Sequence, residues 1–241
     1  MKFKDEKLEM KVGLFIPCYI DQLYPQVGVA TVKILKKLGV KFDYPLNQTC
    51  CGQPAFNTGY WEEARVIAEN FKNIFSKFDY IVSPSGSCTS MVKIFYPEIF
   101  ENSDDLKNKI FELTDFLVNV LNVDSTGAEF EHTVAYHDSC HALRELGIKS
   151  EPRLLLKNVK KLKLVEIEDA EDCCGFGGTF SVKFPEISTE MVKDKVKSIV
   201  NSGAEFVTST DSSCLMHIFG YAKRNNFKIK SIHIAEILAN F

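Results

Sequence analysis

Hydrophobic residues fall along this chain in two alternating rhythms. Short unbroken apolar runs are followed by longer stretches in which apolar positions return every three or four residues. The first run, residues 11–19, is closed by Pro17 and Cys18, as expected of a strand buried on both faces of a parallel sheet. Over 25–38, Val27, Ala30, Val32, Ile34, Leu35 and Leu38 recur at helical spacing, and Gly39 stands where that helix would stop. Residues 40–44 predict a second strand, 61–78 an amphipathic helix, and 80–82 a third strand that runs into Ser83-Pro84-Ser85-Gly86-Ser87-Cys88. A further helix is expected to start over 89–95. From 98 to 127 the spacing of Ile110, Leu113, Phe116, Leu117, Val120 and Leu121 predicts mostly one helix, ending in the turn-rich Asp124-Ser125-Thr126-Gly127.

The order then repeats: strand over 133–136, helix over 151–159, strand over 163–167, helix over 186–201 and strand over 205–208, with a tail of strand (228–233) and short helix (234–239). This predicts an α/β fold of two duplicated βαβαβα halves, each a parallel sheet covered by helices, related by a pseudo-two-fold axis. The first domain, with its connecting helix, is expected over 1–127 and the second over 128–241. In sheets of this kind the functional loops gather beyond the carboxyl ends of the strands.

The cysteines carry the duplication. Thr49-Cys50-Cys51-Gly52-Gln53-Pro54 and Asp172-Cys173-Cys174-Gly175-Phe176-Gly177-Gly178 share an uncommon Cys-Cys-Gly tripeptide. Pairing Cys18 with Cys140, Cys50 with Cys173, Cys51 with Cys174 and Cys88 with Cys214 places all eight cysteines in register at a nearly constant separation. Each lies just after an expected strand or in the loop that follows it. Four thiols per half should therefore converge on one sheet edge. Structural zinc usually draws its cysteines from short C-x2-4-C knuckles, and the chain has none. An iron–sulfur cluster accepts one thiolate per iron from ligands scattered over a domain. The glycine after each pair lets backbone approach closely and aim N–H groups at sulfur. The residues thus favour a cluster over zinc, with zinc and inert buried thiols as the other readings. His137 and His141 flank Cys140, and His217 follows Cys214 by one helical turn. Each has the chemistry to ligate metal, to hydrogen-bond sulfur or to carry protons, and His141 and His217 are the candidate catalytic residues. Ser85 and Asp211 stand three residues before Cys88 and Cys214, as loop caps or as oxygen ligands.

Composition narrows the remaining classes. At 241 residues, 45% hydrophobic and 25% charged, the chain has the makeup of an ordinary globular protein. A formal net charge of −3 gives no reason to expect nucleic acid or an anionic membrane as partner. No apolar run reaches the ~18 residues needed to span a bilayer, and the charged N-terminal stretch before a short, proline-broken run is unlike a signal peptide. A cytoplasmic location is expected, and there eight cysteines point to metal or redox chemistry. No stretch carries a flavin or nicotinamide fingerprint.

The pattern resembles the CCG (cysteine-rich) domain family. It is similar to the CCG-bearing component of heterodisulfide reductase, to the iron–sulfur subunits of glycolate oxidase and anaerobic glycerol-3-phosphate dehydrogenase, and above all to the stand-alone lactate-utilization (LutA/LldE) group. The resemblance rests on Cys50-Cys51-Gly52-Gln53-Pro54-Ala55-Phe56-Asn57-Thr58-Gly59-Tyr60, on Ser83-Pro84-Ser85-Gly86-Ser87-Cys88, on Asp172-Cys173-Cys174-Gly175-Phe176-Gly177-Gly178-Thr179-Phe180-Ser181-Val182-Lys183, and on the terminal Ser231-Ile232-His233-Ile234-Ala235-Glu236-Ile237-Leu238. It implies an iron–sulfur electron-transfer subunit of a cytoplasmic multi-subunit L-lactate dehydrogenase, working with LutB-like and LutC-like partners to turn lactate into pyruvate. In the heterodisulfide reductase relatives, each motif binds a noncubane [4Fe–4S] cluster through five cysteines ending in C-x-x-C. Here Ser85 and Asp211 replace the first cysteine of that final pair, leaving four thiols per half, enough for one ordinary [4Fe–4S] cluster each. Two alternatives stand beside this one: a catalytic, heterodisulfide-reductase-like redox subunit with His141 or His217 as proton carrier, and a zinc-stabilised docking scaffold.

Overall fold

The computed structural model describes residues 10–100 and 104–241. The charged stretch before Met10, and residues 101–103 of the long helix expected over 98–127, lie outside the described residues. The chain divides into one compact unit ending at Val123 and a second, Asp124–Phe241.

In the first unit, β1 (Val12–Leu14), β2 (Phe42–Asp43), β3 (Tyr80–Ser83) and β4 (Ile110–Glu112) form one sheet in the order β2-β1-β3-β4. All three pairings are parallel, with Val12 beside Phe42 and Tyr80, and Ile81 beside Ile110. All of β1 and the last three residues of β3 are buried without alternation, because helices cover both faces. Helix α1 (Pro25–Lys37) begins on a proline, whose missing N–H is no loss in a first turn, and ends with Lys36 and Lys37 near its carbonyl end. It buries Val27, Ala30, Ile34 and Leu35, and Gly39 at φ 73° carries the chain out. Helix α2 (Trp61–Phe75) buries Ala64, Ala68, Phe71, Ile74 and Phe75. Two alanines in that stripe leave room for rings: Phe71 lies 4.9 Å edge-on to Phe15, at the end of β1, and 4.5 Å from Phe75. Burying each phenylalanine contributes about 2 kcal/mol.

The expectation of mostly one helix between 98 and 127 is corrected. Asp104–Lys107 is a single short helix, Ile110–Glu112 is the fourth strand, hydrogen-bonded to β3, and further helical turns begin at Leu113. The Ile-Phe-Glu run is too short to show alternation, and the helical spacing just after it absorbs Ile110 into a false period. Glu112 caps the following turn by accepting from the Thr114 N–H at 2.7 Å, a break that a count of apolar positions does not register.

The second unit repeats the plan. Strands β5 (Thr133–Tyr136), β6 (Lys163–Val165), β7 (Phe206–Ser209) and β8 (Lys230–His233) order as β6-β5-β7-β8, again all parallel. Helices α3 (Ser150–Lys157), α4 (Pro185–Asn201) and α5 (Ser212–Arg224) pack on it. Sequence spacing gave no element for α5, which buries Leu215, Ile218 and Ala222. The tail helix Ile234–Leu238 starts in a capping box: the His233 ring accepts from the Ala235 N–H and Glu236 accepts from the His233 N–H, both at 3.1 Å. The turn at 124–127 is tied into this unit by the Asn158 amide on the Asp124 carbonyl and the Thr126 hydroxyl on the Leu238 carbonyl, each at 2.8 Å. Among the described residues no helix is long and apolar enough to cross a membrane.

Candidate metal centres

In each unit the sheet order reverses direction from its first strand, and that reversal leaves a crevice at the carboxyl ends of the two central strands. The first unit fills it with thiols. Cys18 opens the short helix Cys18–Leu23 four residues after β1, and Cys88 sits inside Gly86–Ser90, just past β3. Between them, the loop after β2 delivers Cys50 and Cys51. The thiols contact one another in series, Cys18 to Cys50, Cys50 to Cys51 and Cys51 to Cys88. Cys51 is buried and Cys18 exposed, so the group has a closed inner end and an open outer one.

Backbone geometry sets the pair. Gly52 takes φ 87°, and its N–H donates to the Cys50 sulfur at 3.4 Å. The Tyr96 hydroxyl, buried in the core, donates to the Cys51 carbonyl at 3.0 Å and fixes the peptide behind it. Hydrogen bonds from Cys18 and Cys51, joined by backbone N–H groups of Gly52 and Cys51, pull the Cys50 thiol down to about 3. Cys18 and Cys51 are pushed up, first by their hydrogen bonds to Cys50, and for Cys51 also by Cys88 and by burial. Ser85 caps the Cys88 helix by accepting from the Cys88 N–H at 3.3 Å.

The second unit places Cys140, Cys173, Cys174 and Cys214 in the same series. Cys140 lies four residues beyond β5, and Cys214 in the first turn of α5. Gly175, at φ 85°, donates its N–H to the Cys173 sulfur at 3.4 Å. A side chain there would also strike Met191 and the Ser188 carbonyl at 2.8 Å. Contacts from Cys140 and Cys174 lower the Cys173 thiol to about 2, while Cys140 is raised chiefly by its bond to Cys173. All eight cysteines are free of disulfides.

The histidines divide. The His141 Nδ1 lies 3.5 Å from the Cys140 sulfur. His217 instead braces the loop behind the pair: its Nε2 lies 3.1 Å from the Ser188 hydroxyl, which donates to the Gly175 carbonyl at 2.8 Å. Burial holds the His217 imidazole below its ordinary 6.5. Asp211, buried, accepts from the Ser139 hydroxyl at 2.5 Å and ties the Cys140 loop to the start of α5. Asp138 is clamped by two Arg153 nitrogens at 2.6 and 2.8 Å, and the same guanidinium also holds Glu166. His137 is fully buried, and its ring belongs to a group with the Cys174 and Cys214 sulfurs whose ligand atoms all lie within 4.8 Å of one another. Burial, with the nearby Lys195 charge, lowers the His137 imidazole to about 3.

The sequence marked His137 as a residue able to ligate metal, hydrogen-bond sulfur or carry protons, but Tyr96, Ser188 and Lys195 were passed over. The readable signal was the duplication itself. Under the pairing that aligns the cysteines, His137 answers to Phe15 and His217 to Met91. The matching contacts behind Gly52 and Gly175 set Ser188 of α4 opposite Ala64 of α2, and hence Lys195 opposite Phe71, where cysteine spacing alone would set them opposite Arg65 and Lys72. At each of these places the second half is polar where the first is apolar.

Comparison with known proteins gives concordant matches. The family model described as the CCG cysteine-rich domain matches residues 12–93 and 134–219. Lactate utilization protein A of Oceanobacillus iheyensis is 47% identical over 236 residues, covering 95% of this chain and 96% of that protein. Lactate utilization protein A 1 of Bacillus mycoides is 48% identical, with 95% and 96% covered. Lactate utilization protein A of a Geobacillus strain is 46% identical, with 95% and 99% covered. Among solved structures, an aspartate racemase homologue from Pyrococcus horikoshii OT3 aligns over 95% of this chain and 96% of its own at a TM-score of 0.35 and 12% identity, a likeness too loose to argue from.

Proposed function

The chain belongs to the CCG cysteine-rich domain family, alongside the lactate utilization protein A sequences, and from that premise we propose that it is an iron–sulfur electron carrier in the cytoplasmic oxidation of lactate to pyruvate. It carries one [4Fe–4S] cluster per unit and works in complex with LutB-like and LutC-like subunits. The observation that supports this reading most is the pair of four-thiol series, each at the carboxyl edge of its own parallel sheet. Four sulfurs linked in series, with backbone N–H groups on Cys50 and Cys173, are a donor set that fits such a cluster.

When bound, a cluster supplies one-electron acceptance and donation. The chain's own residues do the rest. Cys18, Cys50, Cys51 and Cys88 hold the first cluster, and Cys140, Cys173, Cys174 and Cys214 the second. The Gly52 and Gly175 N–H groups offset negative charge on sulfur, and buried Cys51 and Cys174 keep water from the inner side. The open edge at Cys18 is where a partner's centre approaches. No flavin or nicotinamide fingerprint accompanies these residues, so the two-electron step on lactate belongs to a partner protein.

The test is anaerobic reconstitution of the full chain with iron and sulfide, followed by metal analysis and addition of lactate. The expected result is two clusters per chain whose visible absorbance is bleached by lactate only when the LutB-like and LutC-like proteins are present. A colourless chain with stoichiometric zinc overturns the proposal in favour of a docking scaffold. Bleaching by lactate without the partners overturns the carrier role in favour of a catalytic one.

A further inference from the structure

The floor beneath the two sets of thiols is not the same. Phe15 and His137 occupy one topological position. Each follows the last residue of its first strand and donates its N–H to the neighbouring strand at 2.9 Å, Phe15 to Val82 and His137 to Thr208. In the first unit Phe15 packs edge-on against Phe71. In the second, where Ser188 stands behind Gly175 as Ala64 stands behind Gly52, the place of Phe71 falls to Lys195, whose fully buried amine donates to the Asp169 carbonyl. An apolar pair has been exchanged for an imidazole and a buried ammonium.

The His137 ring is fully buried, and among the described residues neither of its nitrogens makes a hydrogen bond of normal geometry. The Ala170 carbonyl approaches it without reaching hydrogen-bond geometry and already accepts the Asp138 N–H at 3.1 Å. A buried polar group left unsatisfied costs about 1–3 kcal/mol, and phenylalanine at the same place in the first unit shows that an apolar side chain fits this fold. What the ring does face is sulfur: its ligand nitrogen and the Cys174 and Cys214 sulfurs lie within 4.8 Å of one another, a spacing that suits donors around one metal atom or on adjacent atoms of one cluster.

We propose that His137 is a nitrogen donor to the metal centre of the second unit, so that the chain carries two unlike centres, one held by thiolates alone and one by thiolates with an imidazole. This rests on the reading that both units bind metal. Here the imidazole adds to four thiolates rather than replacing one, so the second unit keeps the charge of its ligand set and gains a nitrogen donor that the first unit lacks. Lys195 beneath it is paired with the Asp169 carboxylate at 3.5 Å.

The experiment compares reconstituted full-length protein carrying natural and 15N-labelled histidine, in the reduced paramagnetic state, by electron–nuclear double resonance. The expected result is one directly bound histidine nitrogen, lost in His137→Phe and kept in His141→Gln and His217→Gln, with iron and sulfide at the first unit unchanged. His137→Gln gives the same loss of imidazole coupling if the phenylalanine variant does not fold. Full iron and sulfide at both units with no bound histidine nitrogen overturns the inference, as does a coupling that survives in His137→Phe. If no iron–sulfide forms at all, the electron-carrier reading is what fails. Cobalt(II) loaded into the thiol sites then decides His137 separately: an absorption change at one of two sites in His137→Phe upholds the nitrogen donor, and identical spectra reject it.

Discussion

At the scale of single residues, the two Cys-Cys-Gly turns share a conformation but differ in tolerance. Gly52 and Gly175 both sit in the left-handed region, where a side chain costs roughly 1–2 kcal/mol. Around Gly52 an added methyl would meet nothing nearer than 3.5 Å, whereas at Gly175 it would meet Met191 and the Ser188 carbonyl at 2.8 Å. Gly52→Ala should therefore lose only the conformational increment, and Gly175→Ala distinctly more, as read by thermal unfolding of the metal-free protein. His217 predicts a pH effect. Its folded pKa is held below 6.5 by burial, so the unfolded chain binds the proton more readily. Stability from this residue is complete above about 6.5 and falls as pH drops through that value toward the lower folded one. His217→Met, the residue found at the matching place in the first unit, should flatten the difference in unfolding midpoint between pH 7 and pH 5. The cysteines were legible in the sequence because covalent spacing and duplication both mark them. His217 was legible as a residue near the site but not as a loop brace, since its partner Ser188 lies on a different helix.

Among the elements, the helices and central strands could be read because burial on one or both faces imposes a period on the sequence. What escaped was β4, where a three-residue strand meets a capped helical turn, and α5, whose start is masked by the Ser-Cys loop chemistry at its first turn. The join of α3 to β5 offers a test of the ion pair. Asp138 has a side chain with no exposure and Arg153 one with 14%. Removing one partner of such a pair strands the other charge, with an effect of about 3–5 kcal/mol. Arg153→Ala should lower the unfolding free energy of the second unit in urea by that order, and Arg153→Lys should recover only part of it, because lysine cannot match the two-nitrogen grip on the carboxylate.

On the scale of the whole molecule, each unit brings its own four thiols and its own complete sheet. Cys51→Ser and Cys174→Ser should each halve the iron bound per chain after reconstitution, with the other half unchanged. Loss of all iron in either variant would mean that the units do not load separately. That both units are parallel sheets on one plan followed from reading the chain as a repeat, whereas their shared strand order came only with the structure. The unequal floors did not follow, because a polar residue beneath the thiols is told from one at the surface only by comparing it with its counterpart in the other half.

Those floors bear on how a repeated chain finds its own fold. Two sheets with one strand order invite exchange during refolding, with β1 seated where β5 belongs, a hazard shared by repeat architectures. An exchange here would set the His137 imidazole against Phe71, and Phe15 against the buried Lys195 ammonium, away from the partners that each has in the native unit. The mismatch works as a lock-and-key code between each first strand and its own helix. Making both floors apolar, with His137→Phe and Lys195→Phe together, should lower the yield of correctly refolded monomer on dilution from urea and raise the soluble aggregate, even though the second unit has gained a more hydrophobic core.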